Sequence, residues 1–343
     1  MAANTGQTAP DDAWLAKHEE PILEPDLAII DPHHHLWLRG GYGYLMPEFA
    51  ADLASGHNIV ATVFAECHSM YRETGPEAER SLGETEFVRG QAAMSASGSF
   101  GPARACAVMF GNIDMTLGAA IGPLVERHIE ASGGRFRGLR LSSGWDADAR
   151  IHNVASRAEL LLEQPVGDAA AVLQKLNLSL DLWLYHPQLD EVAALADAQP
   201  DLTIILNHVG SPILGGPYRG RTEEVFEDWR ARLRRVAERE NVFIKLGALP
   251  IRMPSFEGDR SLPPGSEEVA AAWRPWIETC IDAFGAERSM FESNFPVQKR
   301  WCSYQVCWNA FKRLAAHATP DEKRDLFADA ATRAYRIRDT MRP

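Results

Sequence analysis

Eight short apolar runs alternate with helical patterns along 343 residues, which predicts an α/β chain folded as a single TIM-type (β/α)8 barrel. Three observations carry the prediction. The runs have the length and β-branched content of strands buried on both faces, as in a parallel sheet. The segments between them mostly have room for one helix each. Several runs end on a histidine or another polar residue, at the end where such a barrel carries its chemistry. At 45% hydrophobic, a chain this long can bury one large core, and no internal repeat or second domain stands out. Residues 1–26, with Pro10, Pro21 and Pro25 among polar residues, read as an N-terminal arm, and residues 27–343 as the barrel.

The first strand falls in residues 27–37 and breaks at Asp31-Pro32 into His33-His34-His35. Residues two apart on an extended chain share a side, so His33 and His35 face one point while His34 faces away into packing. Gly40-Gly41-Tyr42-Gly43-Tyr44 reads as a flexible aromatic loop able to close over a site. Residues 59–65 form the second strand, ending in Glu66, and a helix follows at 84–97. The third strand is 103–110, with a helix at 114–132. The fourth, 134–141, contains three arginines and leads through a long loop to a helix ending near 176. The fifth, 178–186, ends on His186, where Pro187 suits the first turn of the next helix. The sixth, 202–208, ends on His208, and an arginine-rich helix runs from 222 to 240. The seventh, 241–246, carries Lys245, and the eighth is 289–291, followed by Glu292-Ser293-Asn294. Two helices, 304–317 and 321–337, finish the chain, the second opened by Thr319-Pro320.

Polar residues therefore gather at one end of the barrel: His33, His35, Glu66, Arg140, His186, His208, Lys245 and Asn294. One would be noise, but four histidines on three strand ends are hard to explain by core packing. A lysine inside a strand is rarely buried without a partner, so Lys245 is a pocket candidate. His57, His68, His128, His152 and His317 lie on loops or helices and are expected to be solvated.

The Asp31-Pro-His-His-His-Leu-Trp37 start, His186-Pro-Gln-Leu189, Asn207-His-Val-Gly-Ser-Pro212 and Met290-Phe-Glu-Ser-Asn-Phe-Pro-Val297 resemble the amidohydrolase superfamily. More narrowly they resemble its lactonase branch, the relatives of 2-pyrone-4,6-dicarboxylate lactonase and sugar lactonases. The resemblance covers residues 27–338. It implies a β/α barrel that hydrolyses a cyclic ester, with His33, His35, His186, His208 and the last-strand residue Asn294 as catalytic positions. Asn294 departs from the family pattern, in which an aspartate there serves as general base and metal ligand. An amide cannot take a proton near neutral pH. Glu66 is the first candidate for the missing carboxylate, with an ion pair to Arg140 as its alternative role. Glu292, two residues from Asn294, would share its side on a regular strand.

Two cofactor readings follow: none required, or one divalent metal such as zinc held by His33, His35 and His208 with a carboxylate. Arg137, Arg140, Arg219, Arg221, Arg252, Lys299 and Arg300 fall near strand ends, and arginine forks bind carboxylates, so a small anionic, carboxylated ring is the expected partner. Arg140 and Lys245 would bind it, and Trp37, Tyr42, Tyr44 and Trp145 would wall it. The net charge of −12 argues against nucleic acid and anionic membranes as partners, and no run of about 18 apolar residues occurs. Five cysteines without metal-finger spacing fit a reduced, cytoplasmic protein, and a homo-oligomer is allowed. A metal-dependent decarboxylase on the same barrel, or a ligand-binding barrel that has lost its base, are the competing readings.

Overall fold

A computed structural model of the chain describes residues 9–39, 41–248 and 260–337. Strand β1 (Ile29–His34) opens an eight-stranded sheet that continues through β2 (Ile59–Ala65), β3 (Arg104–Gly111), β4 (Phe136–Ser142), β5 (Ser179–Trp183), β6 (Ile204–Leu206), β7 (Val242–Leu246) and β8 (Ser289–Phe291). Each strand pairs in parallel with the next in sequence. The sheet closes past the end of β8, where His34 bridges Phe295, His35 N–H donates to the Phe295 carbonyl (2.7 Å) and Asn294 N–H to that of His33 (2.9 Å). The fold is the expected (β/α)8 barrel. Its closure brings the first-strand histidines and Asn294 side by side.

Helices cover the outside. They include Leu82–Ala96, Gly122–Ala131, Gln164–Lys175, Leu189–Ala198, Thr222–Ala237, Ser266–Phe284 and Tyr304–Leu314. Ser303 caps the last of these by accepting from Val306 N–H, and Thr319 forms a capping box with Glu322 ahead of Pro320–Arg324. Apolar residues from the strands, among them Ile30, Val63, Val108, Phe110, Ile205 and Met290, form one cluster with the final helix Ala330–Tyr335. Most of the remaining apolar side chains form the layer between sheet and helices. No helix among the described residues is long and apolar enough to cross a membrane, and all five cysteines are free and buried.

Several expectations need correction. Trp37–Arg39 and Tyr42–Tyr44 form an antiparallel hairpin rather than a loose loop, with Gly41 in the turn at φ +81°. Gly40 and Arg252 lie outside the described residues. The helix expected at 114–132 is split into Met115–Ile121 and Gly122–Ala131, because Gly118 turns left-handed (φ +62°) and Pro123 restarts the chain. The closing helix is interrupted by a π-turn at Asp325–Asp329. His57 and His128 are buried, not solvated. Each has partners that replace water: His57 meets the Gln305 carbonyl (3.0 Å) and Lys312 Nζ (2.9 Å), His128 the hydroxyls of Ser81 (3.2 Å) and Thr85 (2.7 Å).

Candidate active site

The alternation of β1 is as expected. His33 lies 4.9 Å from His35 and 4.7 Å from His208 between ring centroids, while His34 stacks on Phe49 (4.1 Å) and bonds Thr62 (2.8 Å). Asp31 fixes this arrangement. Its carboxylate accepts from Ser293 Oγ (2.5 Å), Ser293 N–H (3.1 Å), Tyr304 OH (3.0 Å) and His33 N–H (3.3 Å), tying β1 to the turn after β8. Burial pushes Asp31 up to about 6, against those donors.

His208 is carried by a turn that only tight constraint explains. His208, Val209, Gly210 and Ser211 all have left-handed backbone, with φ between +44° and +70°. A β-branched valine there is strained, and such strain concentrates at functional sites. The turn aims His208 at Glu292, whose Oε1 accepts from both the ring Nδ1 (2.5 Å) and the backbone N–H (3.2 Å) of His208. With the proton on Nδ1, the lone pair sits on Nε2, which has no protein partner among the described residues. The side chain is 11% exposed, the rest of it packed. Burial lowers the His208 pKa and Glu292 opposes the shift, so the ring stays neutral at its ordinary titration range.

His35 is used up differently. Its Nδ1 lies 2.9 Å from the Ala65 carbonyl, which can only accept, so that nitrogen carries the proton. Burial, then the nearby Arg140 guanidinium, drive its pKa well down, so the ring is neutral and Nε2 is an acceptor. The Asn294 amide, 3.2 Å away, must then present its NH₂ to that nitrogen, by the amide rotation that leaves its shape unchanged.

Glu66 is gripped by Arg140: Nε donates to Oε1 (2.6 Å) and Nη2 to the Glu66 carbonyl (2.6 Å). This is the alternative role expected for Glu66. Its Oε2 is buried and lacks a hydrogen bond among the described residues, 3.7 Å from His68 Nε2. Beneath it Glu84, pushed up to about 8 by burial and by Glu66, accepts from the Cys67 and Ser69 N–H groups. Lys245 is fully buried, as its position inside a strand suggested, and is paired with Asp181 (2.8 Å). Asp181 also accepts from Asn207 (2.8 Å) and Tyr335 (2.8 Å). The ammonium lies over the Phe110 ring (4.5 Å) and 3.1 Å from His33 Nδ1.

Other expected residues fall elsewhere. His186 accepts from Ile213 N–H at Nδ1 (3.2 Å), and its Nε2 is 3.9 Å from Asp228, apart from the histidine cluster, because β5 stops at Trp183 and His186 begins a separate turn. Tyr44 is not a wall of the site. It is fully buried and donates to Asp52 (2.6 Å), since the hairpin turns it into the core. Trp37 stacks on His35 (5.7 Å) and lines a shallow cleft with Arg39, Tyr42, Pro296 and Arg300. Arg221 pairs on the surface with Glu224, and Lys299 with Asp52. The residues whose central role the sequence left open or hidden are Glu292, Asp181 and Asp31. A charged residue inside an apolar strand was the available signal for Asp181.

The chain matches the Amidohydrolase family over residues 30–337. It is 31% identical over 336 residues to the uncharacterized protein y4mH of Sinorhizobium fredii, covering 91% of this chain and 99% of that protein. It is 26% identical over 215 residues to L-fucono-1,5-lactonase of Burkholderia multivorans, covering 62% of this chain and 67% of the relative. Among solved structures, an amidohydrolase from Burkholderia multivorans with bound zinc superposes at TM-score 0.68 with 23% identity, covering 90% of this chain and 99% of that one. A putative 2-pyrone-4,6-dicarboxylic acid hydrolase from Pseudomonas putida does so at 0.60 with 19% identity, covering 91% and 98%. The family match and the lactonase relative make the chain an enzyme of the hydrolase class. Within that class, the chain belongs to the amidohydrolase family.

Family members often bind a divalent metal, and His33, His208 and Glu292 offer three ligand atoms within 4.8 Å of one another. The surroundings do not fit one. His33 Nδ1 lies between Lys245 Nζ (3.1 Å) and Glu292 Oε2 (3.0 Å), and Arg140 Nη1 stands 3.5 Å from its Nε2, so a cation already sits at each nitrogen. The nitrogens of His35 are bonded to Ala65 and Asn294. That leaves one histidine and one carboxylate, short of the three or four donors zinc takes.

Proposed function

We propose that the protein hydrolyses a small lactone carrying a carboxylate, with His208 as general base. The observation that carries this reading is the His208–Glu292 pair, a carboxylate holding an imidazole in the tautomer that leaves Nε2 unprotonated. In this scheme His208 Nε2 takes a proton from water as its oxygen attacks the ring carbonyl carbon. The tetrahedral intermediate collapses with cleavage of the bond to the ring oxygen, and His208 returns the proton to that oxygen. The products are a hydroxyl and a carboxylate, with net release of one proton. Arg140 and Lys245 supply the positive field in which the carbonyl oxygen gains charge, and Arg39 and Arg300 at the cleft suit a substrate carboxylate. Similarity to a sugar lactonase supports the reaction class; the ring itself is proposed from charge alone.

A panel of neutral and carboxylated lactones, followed with a pH indicator, tests the reading. Acidification with at least one carboxylated lactone is expected, and His208→Ala should reduce turnover at least about a hundredfold. Carbon dioxide release without acidification, from aromatic or unsaturated acids, would replace it with the decarboxylase reading. That alternative depends on a metal, which the cations around His33 oppose.

A further inference from the structure

We propose that Lys245 is a built-in cation beside His33, and that it makes the His33–His208–Glu292 cluster a metal-excluding site. The inference concerns the cluster itself and does not depend on which reaction the enzyme catalyses.

The position of Lys245 is set from below rather than by the histidines. Asp181 holds the ammonium at 2.8 Å, and Asp181 is itself fixed by the Asn207 amide and the Tyr335 hydroxyl, both at 2.8 Å. The Phe110 and Tyr335 rings pack 4.5 and 5.2 Å from Nζ and close off movement to the sides. From this seat the ammonium reaches His33 Nδ1 at 3.1 Å, while Glu292 Oε2 lies 3.0 Å from the same nitrogen. Lysine, imidazole and carboxylate therefore meet at one point, which is what a bound cation would otherwise hold together. A zinc ion about 2 Å from that nitrogen would stand inside the ammonium's contact distance. Moving the metal to Nε2 brings it against the Arg140 guanidinium, whose Nη1 stands 3.5 Å from that atom. The neutral amide of Asn294 belongs to the same design. It occupies His35 and adds no negative charge to attract a divalent ion. Once Lys245 supplies the cation, an aspartate at that position is no longer needed to balance one.

The test is metal binding by the purified full-length enzyme, read by zinc content after dialysis against a weak chelator and by the visible absorption of added cobalt. Wild type, Lys245→Met and the double variant Lys245→Met/Asp181→Asn, which avoids stranding a buried carboxylate, are compared, with circular dichroism reporting folding. Wild type should retain no zinc at this site. A folded Lys245 variant should gain a single site at least roughly tenfold tighter than any in wild type, with cobalt bands that His208→Ala removes. Wild type holding one zinc that His208→Ala abolishes would overturn the proposal, as would a folded double variant that gains no metal. If neither variant folds, the zinc content of wild type against His208→Ala decides alone.

Discussion

At the scale of single residues the site turns on which group carries which proton. Glu292 Oε1 accepts the hydrogen bond from His208 Nδ1–H and so leaves Nε2 as a base. Replacing that carboxylate by an amide leaves the shape but lets the imidazole turn or change tautomer. Glu292→Gln is therefore expected to lower kcat by at least about a hundredfold, while His317→Ala, on an exposed loop, leaves it unchanged. The pH profile has a sign. A base works when unprotonated, so activity falls as pH drops through the His208 pKa, which burial holds below its ordinary value of 6.5. Glu292 is what raises it, so any residual activity of Glu292→Gln should persist to lower pH than wild type. A limb moving to higher pH would contradict the pairing. Sequence spacing could bring His33 and His35 together, because strand alternation is a fixed rule. It placed Glu66 ahead of Glu292 as the carboxylate, and the order is reversed because Arg140 reaches Glu66 across the barrel while His208 reaches Glu292.

At the scale of elements, strands were legible and turns were not. Runs such as 59–65 are apolar enough to be strands whatever surrounds them. The three left-handed non-glycine residues His208, Val209 and Ser211 follow no local preference. They exist because β6 must end early and swing its histidine over the barrel mouth. The hairpin Trp37–Arg39 with Tyr42–Tyr44 was hidden for a related reason, since its register comes from packing Tyr44 inward. One close approach between elements is testable. A Cβ on Gly247, just after β7, would lie 2.4 Å from the Glu292 carbonyl and 2.6 Å from its Cγ. Gly247→Ala should displace Glu292 and cost at least roughly tenfold in kcat, with the far-ultraviolet circular dichroism retained. Full activity in that variant would mean that Glu292 need not hold this position.

At the scale of the whole molecule, the barrel keeps an unusual number of histidines uncharged. Burial lowers His34 to about 3, and His57 and His128 to about 4. His33, His35 and His208 are also lowered. The unfolded chain takes up protons near the ordinary value of 6.5 and the folded one does not, so stability falls as pH drops from there towards 4. Asp31, raised to about 6, and Glu84, raised to about 8, act with the opposite sign over part of that window. They are outnumbered. The free energy of unfolding read from urea titrations should therefore decline between pH 6.5 and 4.5, and His128→Asn should make that decline shallower by about 1.4 kcal/mol per pH unit. An unfolding free energy that rises as the pH falls over that range would show that the buried carboxyls dominate.

Glu292 presents His208 as a neutral base through its Nδ1 proton, and long-range ¹H–¹⁵N nuclear magnetic resonance of the histidine rings reads that proton without needing a substrate. At neutral pH, His208 is predicted to give the Nδ1-protonated tautomer, with that preference lost in Glu292→Gln. An Nε2-protonated or fully protonated His208 in the wild-type enzyme would contradict the account.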